Sequence, residues 1–202
     1  MSVNSIVKRY YDLAYNYHLS AVVLWGQIIE APYIYNPTIF LLRHTTELLL
    51  KGLIINETIR INTTVDISRL TIEENGTKIN INAVHSLFYL WEYFKLINKS
   101  NRLVPCYSLQ QAQAIDKVIK FFNDKDFSST TFRYPFSKQG KPIIIEPIDL
   151  DNSGKAPELG ATPPTLIQRG DEICVIKKGT RYLVQTQKLF EAVELLFKLY
   201  GE

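Results

Sequence analysis

Four side chains that can bear charge lie close together in one apolar segment. The segment 39–55 reads IFLLRHTTELLLKGLII and contains Arg43, His44, Glu47 and Lys51. In an α-helix these four side chains fall within an arc of roughly 100°. Two cations beside one carboxylate can bind an anion such as phosphate, with Arg43 and Lys51 as contacts and Glu47 holding them in place. The same spacing also fits a salt-bridge ladder on a partly exposed helix face, and the sequence leaves both interpretations open.

The rest of this segment is apolar on almost every side. Leucine and isoleucine occupy most of the positions that the charged residues leave. A helix of this kind is expected inside a helical bundle, because a surface helix keeps a polar face. Charges inside a bundle need partners, since burying an unpaired charge is expensive. The chain is therefore predicted to place a charged group in or beside its core.

His85 is the second candidate, in the segment HSLFYLWEYF. It could be a packing residue, a hydrogen-bond donor to a ligand, or a group that transfers protons together with His44. Two histidines and a glutamate could ligate a metal, but no spacing within one element supports such a site. We therefore predict no metal and no cofactor.

The third candidate is the segment 131–142, TFRYPFSKQGKP, which mixes cations with aromatic rings. Arg133 and Tyr134 could contact phosphates and stack on bases, with Lys138 and Lys141 nearby. In the alternative interpretation the aromatic residues anchor the loop, and Arg133 pairs with Glu47 or Asp126.

Length, net charge and cysteine content limit the classes of protein to which the chain can belong. With 202 residues, one domain covering 1–202 is expected. The net charge of +3 neither requires nor opposes nucleic-acid binding. The two cysteines lack metal-site spacing, and no apolar run is long enough for a membrane span. Glycine-rich nucleotide loops and the common hydrolase motifs are absent. We expect a cytoplasmic protein with no membrane contact.

Periodicity and turn signals predict a mainly α protein, an antiparallel bundle of about five helices with two small β-hairpin insertions. Asn75-Gly76 predicts the turn of the first hairpin, inserted at 57–82, with Ile72 opposite Ile79 and Glu73 opposite Lys78. Ser108 and Gln111 predict a capping box at the start of the fourth helix. The predicted helices span about 3–30, 37–55, 82–97, 108–123 and 187–200. A second hairpin is predicted over about 172–186, around Gly179-Thr180, and 142–171 is predicted to be irregular.

The arrangement of ELLLKGLI, HSLFYLW and FRYP on successive parts of the chain resembles the HEPN superfamily of small prokaryotic helical bundles. The positions that carry the resemblance are Glu47, Leu48, Leu50, Lys51, His85, Leu87, Leu90, Trp91, Asp126, Arg133, Tyr134 and Pro135. The resemblance implies a homodimer that binds RNA, a nucleotide or a partner protein, in a phage-defence or toxin–antitoxin type of system.

The ribonuclease motif of that superfamily, an arginine followed by a histidine after four to six residues, is missing. Arg9 precedes His18 with eight residues between them, and Arg43 is adjacent to His44. We therefore expect a non-catalytic binding module. Two alternatives stay open: a hydrolase or nuclease with a different site built from His44, Glu47, His85 and Arg133, and a purely structural subunit of a complex.

Overall fold

The computed structural model describes residues 3–27, 35–100, 108–126, 166–169, 172–175 and 179–201. Within these ranges the chain is mainly helical, as predicted. The helices are α1 (Val3–Gly26), α2 (Tyr35–Ile61), α3 (Leu87–Ser100), α4 (Leu109–Asp126) and α5 (Gly179–Gly201). The strands are β1 (Thr71–Glu74), β2 (Thr77–Asn80), β3 (Leu166–Arg169) and β4 (Glu172–Val175).

Helix α2 lies at the centre of the packing. It contacts α1, α3 and α5, and α4 completes the bundle against α3 and α5. Residues on every side of α2 are buried, among them Leu42, Leu49, Leu50 and Ile54. This agrees with the apolar character of the segment, because a helix surrounded by neighbours can bury apolar residues around its whole circumference. No helix in the described ranges is long and apolar enough to cross a membrane.

The first β-hairpin forms with the predicted register. β1 and β2 are antiparallel, with Ile72 opposite Ile79 and Glu73 opposite Lys78. Asn75 and Gly76 both have positive φ, at 51° and 76°, as a type I′ turn requires. The hairpin is shorter than the predicted insertion at 57–82, because α2 continues to Ile61 instead of ending near residue 55.

The start of α3 was predicted too early. The expected start near Asn82 is occupied by a short 3-10 turn, Ile81–Ala83, and α3 begins at Leu87. Asn80 caps this turn, since its side chain accepts a hydrogen bond from the Asn82 amide at 3.0 Å. This short extended and turned segment places His85 just before the helix instead of inside it.

The start of α4 was predicted correctly. The Ser108 amide donates to Gln111 Oε1 at 2.6 Å, and the Gln111 amide donates to Ser108 Oγ at 3.2 Å. These two bonds form the reciprocal capping box that the sequence indicated. The helix continues to Asp126, beyond the predicted end near residue 123.

The second predicted hairpin is wrong in its pairing. β4 pairs with β3, which lies in the range predicted to be irregular, and residues 179–186 form the first two turns of α5. The segment RYLVQT contains β-formers, but it is continuous with a helix that buries Leu189, Val193 and Leu196. Tertiary packing of that helix outweighs the local strand preference of these residues, which is worth at most about 1 kcal/mol per residue.

Candidate functional site

Glu47 is the centre of a buried charged cluster on α2. Its side chain is 2% exposed and accepts hydrogen bonds from Arg43 Nη1 at 3.0 Å and Lys51 Nζ at 2.9 Å. Arg43 and Lys51 are themselves buried, one helical turn on either side of Glu47. The helical repeat aligns the three side chains, and mutual hydrogen bonding compensates for their removal from water.

The two cations also hold the chain segment that precedes α3. Arg43 Nη2 donates to the His85 carbonyl oxygen at 2.7 Å, and Lys51 Nζ donates to the Asn82 carbonyl oxygen at 3.1 Å. Arg43 and Lys51 each therefore join the Glu47 carboxylate to the backbone of a segment more than thirty residues away in sequence. The cluster fixes the position of residues 82–85 against α2.

His85 is the most exposed member of the cluster. Its Nδ1 lies 3.0 Å from Glu47 Oε1, while 49% of its side chain is exposed. An ionised carboxylate can only accept hydrogen bonds, so Nδ1 carries the proton in this contact. Nε2 has no hydrogen-bond partner among the residues that the structure describes. The imidazole is therefore oriented from the inside by a carboxylate and can offer its second nitrogen to a ligand.

The charged form of Glu47 is favoured despite its burial. Burial by itself would raise the pKa of Glu47, but the charge and hydrogen bond of Lys51, then His85 and Arg43, lower it below its ordinary value. Burial and the neighbouring cations shift the pKa in opposite directions, and the effect of the cations is the larger. Glu47 is therefore an anion at neutral pH and acts as a fixed hydrogen-bond acceptor for His85.

Helix α1 adds a contact that the sequence did not indicate. The Tyr10 hydroxyl donates to Asn82 Oδ1 at 2.7 Å. Burial, and secondarily the charge of Glu47, raise the pKa of Tyr10, so the hydroxyl keeps its proton. No sequence signal could have revealed this pair, because Tyr10 and Asn82 are 72 residues apart and neither belongs to a recognisable motif.

His44 has an aromatic setting. Its ring lies 4.6 Å from the ring of Tyr17 in an edge-to-face arrangement and 5.9 Å from that of Phe40. Adjacent residues on a helix point about 100° apart, so His44 faces α1 while Arg43 faces the segment before α3. A shared ligand for His44 and His85 stays a prediction.

Aromatic side chains lie next to His85 in the sequence, in the first turn of α3. Phe88 is 43% exposed and packs edge-to-face on Tyr89, with 5.5 Å between the ring centres. The Tyr89 hydroxyl donates to Asn75 Oδ1 at 2.6 Å, which ties this turn to the hairpin. A half-exposed imidazole is thus followed, three residues later, by an exposed aromatic ring.

The other predicted site residues lie outside the described ranges. This applies to Arg133, Tyr134, Lys138 and Lys141, so the pairing of Arg133 with Glu47 and the phosphate role of this segment stay predictions. Within the described residues, no three of the histidine, cysteine, aspartate and glutamate side chains are grouped as a metal site.

Comparison with known proteins identifies no relative. No family model, no curated protein and no solved structure matches the chain.

Proposed function

We propose that this chain is a non-catalytic HEPN-like module that binds single-stranded RNA or a nucleotide through its phosphate, in a bacterial phage-defence or toxin–antitoxin type of system. The observation that carries the proposal is the His85 imidazole, held by the buried carboxylate of Glu47 and half exposed to solvent. A ring nitrogen fixed in this way can donate to a phosphate oxygen when the imidazole is protonated. The assignment to the HEPN superfamily and to such a system comes from the sequence resemblance.

In this proposal, the predicted ligand contacts among the described residues form two groups. Arg43 and Lys51 are buried and donate hydrogen bonds to Glu47 and to backbone carbonyl groups. Their contribution to ligand binding is therefore indirect: they hold His85 in position. His85 is the member with an accessible ring. Phe88, exposed three residues later, supplies a surface on which an unpaired base could stack.

The first experiment measures binding of a short fluorescently labelled single-stranded RNA of mixed sequence by anisotropy, with ATP and inorganic phosphate as competitors. His85→Asn should weaken RNA binding about 10- to 100-fold, the loss expected for one hydrogen bond to a charged group. The matched control is Arg60→Gln, whose side chain is also 49% exposed but lies at the far end of α2 and pairs with Glu57. Equal losses in both variants would indicate non-specific attraction, and no loss in His85→Asn would overturn the proposal.

The contact between Glu47 and His85 also favours a second candidate, a hydrolase or nuclease in which His85 transfers protons. A carboxylate that orients an imidazole is a common arrangement for acid–base catalysis. This alternative requires slow cleavage of the same RNA by the wild-type protein, and loss of that cleavage in His85→Asn. Binding without cleavage would support the non-catalytic module.

The partners predicted from the resemblance stay part of this proposal. A homodimer should appear as twice the mass of the 202-residue chain in light scattering. The alternative ligand is a partner protein. Co-purification of the chain with one defined protein, without binding of RNA or nucleotide, would support that alternative.

A further inference from the structure

Asn82 is held from two sides. Its side-chain oxygen accepts a hydrogen bond from the Tyr10 hydroxyl of α1 at 2.7 Å, and its backbone carbonyl accepts one from Lys51 of α2 at 3.1 Å. Lys51 in turn binds the Glu47 oxygen that contacts His85. Asn82, bonded at its side chain by Tyr10 and at its backbone by Lys51, therefore connects α1 to the carboxylate that orients His85.

The position of Tyr10 depends on a glycine in α2. A Cβ atom at Gly52 would lie 3.0 Å from Tyr10 Cβ and would overlap the hydroxyl of Tyr200. Because position 52 lacks a side chain, Tyr10 can lie directly on α2 and reach Asn82. The glycine is thus part of the arrangement that places the hydroxyl.

Only two residues separate Asn82 from His85, and the backbone between them is constrained. Ile81 and Val84 are buried, and the Val84 amide donates to the Ile81 carbonyl oxygen at 3.3 Å. A shift of Asn82 would therefore pass to His85, because a short segment anchored at both ends has little freedom to absorb it.

We propose that Tyr10 is a positioning residue for the His85 site. Its hydrogen bond to Asn82 fixes the segment 82–85, and this segment holds the His85 imidazole against Glu47. The positioning is a property of the protein without ligand. Its effect on RNA affinity rests on the proposed function.

The test replaces Tyr10 by phenylalanine, which keeps the ring and removes the hydroxyl. In the protein without ligand, Tyr10→Phe should shift the NMR signals of the His85 ring and speed amide exchange at residues 82–86 about two- to tenfold, the range for one lost hydrogen bond. Affinity for the labelled RNA should fall by a similar factor. The control is Tyr11→Phe, since Tyr11 lies on the same helix but packs on Phe197 and Tyr200.

A second variant shows whether the effect passes through Asn82. Asn82→Ala should reproduce the His85 shift, and the double variant with Tyr10→Phe should show no further change, because both remove the same bond. Unchanged His85 signals and exchange in Tyr10→Phe, or additive effects in the double variant, would overturn the proposal. Absence of RNA binding by the wild-type protein would instead refute the proposed function and leave these ligand-free comparisons intact.

Discussion

At the scale of single residues, the central feature is a carboxylate that the chain buries and then surrounds with donors. Glu47 accepts from Arg43, Lys51 and His85, and two of these donors are buried with it. Apolar residues in place of the cluster could give a protein of equal stability, because the attraction within a buried ion pair seldom exceeds the cost of removing its charges from water. The distinctive result of this arrangement is an imidazole with a defined orientation at the surface.

Glu47→Gln tests the energetic role of the carboxylate. The variant should lose about 3–5 kcal/mol of unfolding free energy at neutral pH, because Arg43 and Lys51 would remain buried without an anion. Urea unfolding measures this value. The control Glu73→Gln changes an exposed residue opposite Lys78 and should alter stability by no more than about 0.5 kcal/mol.

The pH dependence of stability has a definite sign. The native pKa of Glu47 lies below its ordinary value of 4.5, so its contribution is complete above that pH and is lost as the pH falls through the lower native pKa. Wild-type unfolding free energy should therefore decline over this acid range more steeply than that of Glu47→Gln. Parallel acid profiles would contradict a depressed native pKa.

At the scale of elements, the crossing of α1, α2 and α5 depends on close approach at Gly52. Tyr10 from α1 and Tyr200 from α5 both lie against this glycine. The Tyr200 hydroxyl is buried without a hydrogen-bond partner among the described residues, and burial, with a smaller effect of Tyr10, raises its pKa. Close packing of the three helices at Gly52 thus leaves the Tyr200 hydroxyl without a hydrogen bond among the described residues.

Gly52→Ala should destabilise the protein by about 1–3 kcal/mol, although alanine is the better helix former by about 1 kcal/mol. The added methyl group has no space beside Tyr200 and Tyr10. Gly26→Ala is the matched control, since a Cβ at Gly26 meets no atom within 4 Å. Shortening the neighbour with Tyr200→Leu should recover part of the loss, and equal unfolding free energies for the two alanine variants would refute the packing argument.

The whole molecule shows which parts of the fold could be predicted from the sequence. The β1–β2 hairpin and the α4 capping box were predicted correctly because their signals are local, Asn75-Gly76 and the Ser108–Gln111 pair. The predicted start of α3 was wrong because local caps set the true start: Asn80 caps the preceding 3-10 turn, and the Tyr89 amide donates to Ser86 Oγ at 3.4 Å. The second hairpin was wrong because it depends on packing. Residues 179–186 join a helix whose apolar face lies in the core, and that contact outweighs their strand preference.

The same division applies to the candidate site. The alignment of Arg43, Glu47 and Lys51 follows from the helical repeat, so it could be predicted from the sequence. The contacts of Arg43 with the His85 carbonyl and of Tyr10 with Asn82 join distant parts of the chain, and only the tertiary structure reveals them. Sequence spacing grouped His44 with Glu47, whereas the structure places the His44 ring beside Tyr17 and Phe40.

An NMR titration of the histidine side chains with single-stranded RNA shows whether the oriented His85 imidazole is the binding site, because it observes all three imidazoles in one protein. His85 ring signals should shift progressively and saturate, while those of His18, which packs against Phe190 and Phe197, should stay in place. In Glu47→Gln the His85 shift should be reduced, since the ring loses its orienting carboxylate. Saturable RNA binding without a shift of His85 would show that the oriented imidazole is not the binding site.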